Sequence, residues 1–219
     1  MTLDWAIVWE NAGALARGAE ITVLLAVATM LLAIPGGVLL ALMRLSPVRP
    51  LALASAGFTE FFRNLPLLLV IYAAYYILPL TTGISFSPFA TALVALALNV
   101  SAYNGETFRA GIQSIRKGQS EAALALGMSR AQVMREVVLP QAARRIAPVL
   151  ASTWVSLFKD TSLVSVIAVG ELAYTAMRIR SQSFRVLEML TAMAAIYWAL
   201  GYPQAKLTDW LYRRFGVRE

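Results

Sequence analysis

Lys159-Asp160-Thr161-Ser162 sets an ammonium, a carboxylate and two hydroxyls side by side inside an otherwise apolar stretch. Placing Lys or Asp at the centre of a membrane helix costs about 2.5–3.5 kcal/mol on insertion scales, so an adjacent pair marks a wet, protein-facing site by default. Lys159 and the hydroxyls can donate to a carboxylate, while Asp160 can accept from an ammonium or hold Lys159 in place. The structural alternative is that Lys159 snorkels to an interface and Asp160 caps a helix break before Thr161. Asn64, within Arg63-Asn64-Leu65-Pro66, either gates a pathway or belongs to an ordinary membrane-helix entry. Glu106 and Arg109 have the spacing of a simple i,i+3 ion pair.

A second stretch does different work. Residues 121–140 read EAALALGMSRAQVMREVVLP, polar and amphipathic in a mostly lipid-compatible chain. Lipid offers such a segment nothing, so it must meet something in the cytoplasm. Gln119–Leu126 is rich in Ala and Leu and predicts a helix. Gly127 can take the left-handed turn that ends it. Ser129 with Gln132 predicts a capping box, and Met128 with Val133 a hydrophobic staple. The second helix is expected to run to about Leu139, where Pro140 stops or bends it. Val133, Met134, Val137 and Val138 are expected on its apolar face.

Composition narrows the function classes. The 219 residues are 59% hydrophobic and 14% charged, with mean hydropathy +0.66. Soluble domains carry about 25% charged residues, so this is a polytopic membrane protein with room for one compact domain, 1–219. With no Cys and no His, disulfides, thiol nucleophiles and most zinc sites are excluded. Carboxylate or Ser-Lys chemistry is all that remains to an enzyme, and no such pairing stands out. The chain has no G-x-x-x-x-G-K-[ST], so it holds no ATP by a P-loop, and no cofactor or metal is expected in it. The net charge of +7 lies in loops beside apolar spans, where Lys and Arg hold loops in the cytoplasm; nucleic acid is not an expected partner.

The elements that must position these residues are all-α, with about five transmembrane helices of about 20 residues each. Span one is Ile21–Met43, kinked by Ile34-Pro35-Gly36-Gly37, after an N-terminal extension (1–17) with an interfacial helix at Trp5 and Trp9. Span two is Leu65–Leu78, extended backwards through Phe61 and Phe62, and span three Phe89–Phe108. The polar section 109–145 follows. Span four is Ile146 to Val169 and span five Leu187–Leu207, with a polar section from Glu171 to Arg185 between them. Under alternation, Arg44, Arg49 and Arg63, the basic residues of 109–145, and Arg213, Arg214 and Arg218 share one face. That face is cytoplasmic, with the N-terminus outside and the C-terminus through Glu219 inside. Arg178, Arg180 and Arg185 dissent, and a re-entrant or surface helix would hold them outside. No internal repeat is evident, which weighs against a stand-alone secondary transporter or channel.

Glu121-Ala122-Ala123, then Gly127, then Leu139-Pro140 resembles the EAA loop by which permease subunits of bacterial ABC importers grip their ATPases. The likeness extends to Phe62-Arg63-Asn64-Leu65-Pro66, Gly105-Glu106-Thr107-Phe108-Arg109-Ala110-Gly111-Ile112, Lys117-Gly118-Gln119 and Lys159-Asp160-Thr161-Ser162-Leu163. It covers roughly 15–215 and is similar to the polar-amino-acid branch of that family. Asn104 and Gly105 depart from it, where Ala- or Glu-like residues are expected. The resemblance implies two cytoplasmic ABC ATPase subunits that bind ATP and Mg. It further implies a second permease subunit, identical or homologous, an extracytoplasmic amino-acid-binding protein, and a place in the bacterial inner membrane. The cargo would be a polar or charged amino acid or an opine-like derivative. Glu121, Ala122, Ala123, Gly127, Leu139 and Pro140 would couple to the ATPase. Lys159, Asp160, Thr161, Ser162 and Asn64 would line the substrate pathway.

Overall fold

A computed structural model of the chain describes residues 3–215, all helix and connecting turns with no strand among them. Arg218 and Glu219, expected on the cytoplasmic side, lie outside the described residues. A short α1 (Ala6–Glu10) leads into α2 (Ala12–Leu45), so residues 12–17 belong to the first long helix. Trp5 and Trp9 stand exposed at its entrance. α2 continues through Pro35 without a break. Gly36 and Gly37 serve close packing on α6 (Pro88–Gln113): a Cβ on Gly37 would lie 2.6 Å from Asn104 Cβ.

The expected second span is bent sharply. α3 (Arg49–Asn64) ends at Leu65-Pro66, and the chain turns by 106° into α4 (Leu67–Tyr72), a π-helical turn (Ala73–Ile77) and α5 (Leu78–Thr82). Pro66 forces the extended backbone seen at Leu65 (φ −93°, ψ 137°), so Phe61 and Phe62 cannot extend that span backwards. Two α6 side chains close the last carbonyls of α3. Asn99 donates to Phe62 O at 2.9 Å and Tyr103 to Arg63 O at 3.4 Å.

Beyond α7 (Lys117–Ala125), Pro140 fails to stop the next helix. α8 (Arg130–Gln132) widens into a π-helical segment (Val133–Val138) and runs on as α9 (Leu139–Asp160). A proline has no N–H to give and crowds the preceding turn. A widened turn absorbs that defect without breaking the helix. Pro79 follows the other π-helical turn in the same register, two residues beyond its end. At Thr161 the helix tightens into a 3₁₀ segment (Thr161–Ile167), which ends at left-handed Ala168. α10 (Leu172–Ser183) bends away by 47°, and α11 (Val186–Phe215) completes the bundle.

The main core joins Leu25, Ile71, Ala92, Leu96, Leu157, Val164 and Ile167 from α2, α4, α6, α9 and the 3₁₀ segment. A polar node sits against it. Fully buried Glu171 accepts from Ala173 N (2.7 Å), Tyr174 N (2.6 Å) and Tyr197 OH (2.9 Å), while Leu172 N donates to Thr22 Oγ1 at 3.1 Å. The start of α10 is thereby fixed to α2 and α11. Among the described residues one helix, Ala12–Leu45, is long and apolar enough to cross a membrane alone, or up to three if each bent pair is one span. The helices at expected spans three and five, α6 and α11, are long but fall short of that apolar composition.

Candidate functional site

The segment 109–145 folds as a hairpin with its own small core. Ile115, Ala123, Val133, Val138, Ala142 and Ile146 are buried together, with Phe108, Ile112 and Met128 packed on them. Gly127 turns the chain at φ +84°, and Met128 N donates back to Ala123 O at 3.2 Å. The Ser129 hydroxyl accepts from Gln132 N while Gln132 Oε1 accepts from Ser129 N at 2.8 Å, the reciprocal capping box read from the sequence. Because 133–138 is π-helical, its i,i+5 pair Val133 and Val138 shares the buried face. Met134, expected on that face, is exposed instead.

Two ties fix the hairpin to the membrane helices. Gly111 lets α6 approach α9 so closely that a Cβ there would collide with the Ile146 side chain. Arg145 Nη1 donates to Ser114 O at 2.7 Å and to Ser114 Oγ at 3.0 Å. Of the residues singled out in the sequence, Glu121, Ala122, Gly127, Leu139 and Pro140 are exposed, whereas Ala123 is buried and supports the tip from within. Leu124 and Leu126, which carry no sign in the sequence beyond helix propensity, are also exposed, Leu126 by 84%, leaving an apolar knob on the outer side of a stiff turn.

The other candidate residues do not converge. Lys159 is exposed and lines a recess with Phe158, Tyr197, Trp198 and Tyr202. Asp160, one residue on, lines a separate cleft of about 420 Å³ with Asn99, Tyr103, Ser152, Thr153 and Ser156. Successive helical residues point in different directions, so adjacency in sequence does not make a pair. Among the described residues the ion pairs join Arg109 to Glu106 and Arg185 to Asp4 and Glu188; Lys159 and Asp160 form none. Thr161 is fully buried and donates to Phe158 O at 2.7 Å, and Ser162 donates to Lys159 O at 2.8 Å. Asn64 donates to Glu60 O in its own helix at 2.7 Å. The expected i,i+3 pair is present, with Arg109 Nη2 2.6 Å from Glu106 Oε2.

Residues 33–217 match the family described as binding-protein-dependent transport system inner membrane component. The chain belongs to that family. Across 218 residues it is 36% identical to the glutamate/aspartate import permease protein GltK of Escherichia coli O6:H1, covering 96% of this chain and 97% of the relative. It is 34% identical over 200 residues to the arginine transport system permease protein ArtQ of Bacillus subtilis, with 91% of each covered. A crystal structure of an amino acid ABC transporter with histidines superposes with TM-score 0.92 at 34% identity, over 98% of this chain and 100% of that one. The chain is thus an ABC-importer permease, a transport subunit of the inner membrane, and a stand-alone transporter is not favoured. In this permease the sequence did carry a sign of the cleft. Ser152, Ser156 and Asp160 are spaced i, i+4, i+8 on α9 and face Asn99 and Tyr103, an i,i+4 pair on α6. No group of three or more His, Cys, Asp or Glu suited to a metal occurs among the described residues.

Proposed function

We propose that this permease carries a polar or charged amino acid, or an opine-like derivative, from a binding protein outside to the cytoplasm. It would do so with a second permease subunit and two ATPases. The observation that supports this best is the hairpin: a self-cored, doubly anchored turn whose exposed tip presents Leu124 and Leu126 beside Glu121. A rigid knob of that kind transmits motion from a cleft in another subunit. Glu121, Ala122, Gly127, Leu139 and Pro140 present or flank the contact, and Ala123 stiffens it. ATP-driven closure of the ATPases would draw two such hairpins together and open the pathway outward. Shifting a two-state equilibrium from 1:99 to 99:1 takes about 5.5 kcal/mol, which a compliant tip could not deliver. The reading is tested by assembling the chain with its partner subunits and screening binding proteins loaded with single amino acids for stimulated ATP hydrolysis and import. No stimulation by any of them would defeat it.

Gly127→Val isolates the coupling role. No atom lies within 4 Å of the added Cβ, so the cost is backbone strain at positive φ, about 1–2 kcal/mol, confined to the tip. Co-purification with the ATPase is expected to fall sharply while membrane insertion is unchanged. Gly127→Asn, which tolerates the left-handed region, is expected to keep most of the association. Equal retention by both variants would rule out tip shape as the determinant.

Within this reading the bundle crosses the membrane five times, by α2, the bent α3–α5 pair, α6, α9 with its 3₁₀ extension, and α11. The N-terminus is outside and the C-terminus inside. Cysteines placed at Gln119 and Ile84, both exposed, are expected to label from the cytoplasmic and the outer side respectively. Labelling from one and the same side would overturn the arrangement.

Asp160 is the cargo-facing residue of the proposal, its carboxylate meeting the ammonium in the cleft between α6 and α9. Lys159, Thr161, Ser162 and Asn64 do not line that cleft. Thr161, Ser162 and Asn64 act as positioning groups: the two hydroxyls close carbonyls at the switch from α to 3₁₀ helix, and Asn64 closes one at the end of α3, while Lys159 faces a separate recess. Asp160→Asn keeps size and removes charge. A charge-assisted hydrogen bond is worth about 1.5–3 kcal/mol, so import is expected to fall by about tenfold or more with assembly and basal ATP hydrolysis intact. Unchanged import would place the cargo elsewhere.

A further inference from the structure

A cleft of about 560 Å³ lies between the C-terminal half of α6 and the N-terminal half of α9, nearer the hairpin than Asp160. Its charged walls are Arg63, Glu106 and Arg145. Glu106 is already neutralised, because Arg109 Nε reaches both its oxygens at 3.0 and 3.1 Å and Nη2 reaches Oε2 at 2.6 Å. No ion pair engages Arg63 or Arg145 among the described residues. Arg63 lies over the Tyr103 ring, 5.5 Å from its centroid, and Arg145 uses only Nη1, on Ser114. The rest of each guanidinium fork is free to donate. The cleft therefore has a net positive wall: two guanidinium groups face one carboxylate, Glu106, whose oxygens are already engaged by Arg109. It also adjoins the Asp160 cleft, since Tyr103 and Val149 line both.

We propose that this cleft is a release-side station for the cargo, where Arg63 and Arg145 hold the carboxylate of an amino acid that has left Asp160. The inference rests on the amino-acid reading above. The two clefts are complementary in sign: Asp160 favours an ammonium and repels a carboxylate, and the arginine cleft does the reverse. A zwitterion moving along the α6–α9 groove is thus handed from one charge to the other. Transport also requires that each station bind weakly enough to let go, and two forks at a water-accessible mouth meet that condition better than a dry ion pair.

The chain has no cysteine, so Thr107→Cys on the cleft wall gives it a single thiol. The complete importer carrying this variant is placed in phosphatidylcholine nanodiscs and reacted with neutral N-ethylmaleimide. The reaction is run with glutamate, glutamine or arginine, or with the α-amide of each. The free amino acids are expected to slow labelling of this subunit and the amides to leave it unchanged. Arg63→Gln, which breaks no hydrogen bond of the fold, is expected to raise the half-protecting concentration about tenfold. Arg145→Lys, which keeps the charge, is expected to retain part of the protection. Equal protection by the amides, or no effect of Arg63→Gln, overturns the proposal. Protection by inorganic phosphate or phosphatidylglycerol but by no amino acid overturns it too, and reassigns the cleft to a phosphate or a lipid headgroup. Import by the unmodified complex in the same preparation reports on the parent reading separately.

Discussion

Glu171→Ala is expected to destabilise the assembled permease by about 3–5 kcal/mol, seen as an early loss of protease protection around α10. The carboxylate is fully buried and accepts from Ala173 N, Tyr174 N and Tyr197 OH. Truncation leaves those three donors without an acceptor, at about 1–3 kcal/mol for each group that stays buried, and removes the N-cap of α10. Glu171→Gln keeps an amide oxygen that can serve part of the set, so its loss is expected to be much smaller. Tyr197→Phe removes the stranded hydroxyl, and adding it to Glu171→Ala is expected to cost less than the sum of the two changes. Additive losses would mean that the tyrosine finds another partner and that the node is not a unit. Measuring thermal unfolding of the complex for all four variants decides between these outcomes.

Glu171 also shows where sequence reading ran out. It opens a polar section of the sequence; its cap on Ala173 and Tyr174 is local, but nothing in its spacing says that Thr22 and Tyr197 meet it, since that depends on long-range packing. The hairpin was legible because its determinants are local: a left-handed glycine, a capping box and a staple lie within seven residues, Gly127 to Val133. Pro140 does not stop its helix, for an equally physical reason. A proline ends an α-helix only if the preceding turn cannot widen, and Val133–Val138 widens. The bend at Pro66 follows from a local rule as well, because the extended backbone that proline imposes on Leu65 makes a corner rather than one straight span. Within the candidate site, adjacency and helical periodicity point to different groupings. Lys159 and Asp160 are neighbours in sequence but line separate recesses, whereas Ser152, Ser156 and Asp160 share a helix face and line one cleft. That stripe is visible in the sequence at i, i+4 spacing.

The same logic of faces accounts for Gly105, one of the two residues at which the chain departs from the family pattern, and yields the second large prediction. α2 crosses α6 where Gly37 meets them: a Cβ on Gly37 would stand 2.6 Å from Asn104 Cβ and 3.0 Å from Asn104 C and Gly105 N. A Cβ on Gly105 would stand 3.0 Å from Leu40 Cβ. The atoms facing Gly37 are backbone or the first side-chain atom, so no rotamer change makes room. Gly37→Leu is therefore expected to push α2 and α6 apart at a cost of about 3 kcal/mol or more, at the upper end for overpacked cores. Insertion is expected to continue, because leucine is more lipid-compatible than glycine. The loss is one of packing, read as a drop in thermal stability and in recovery of the assembled complex. Gly36→Ala is expected to be milder, since its Cβ would first meet the Ser101 hydroxyl, which can rotate. The decisive pair is Gly37→Ala with and without Asn104→Gly. Removing the facing Cβ is expected to restore part of the stability that Gly37→Ala loses, even though Asn104→Gly alone costs about 1 kcal/mol in helix propensity and gives up the buried bond from Asn104 Nδ2 to Ala33 O at 3.4 Å. If the double variant is no better than Gly37→Ala alone, the close crossing is not what the small residues are for.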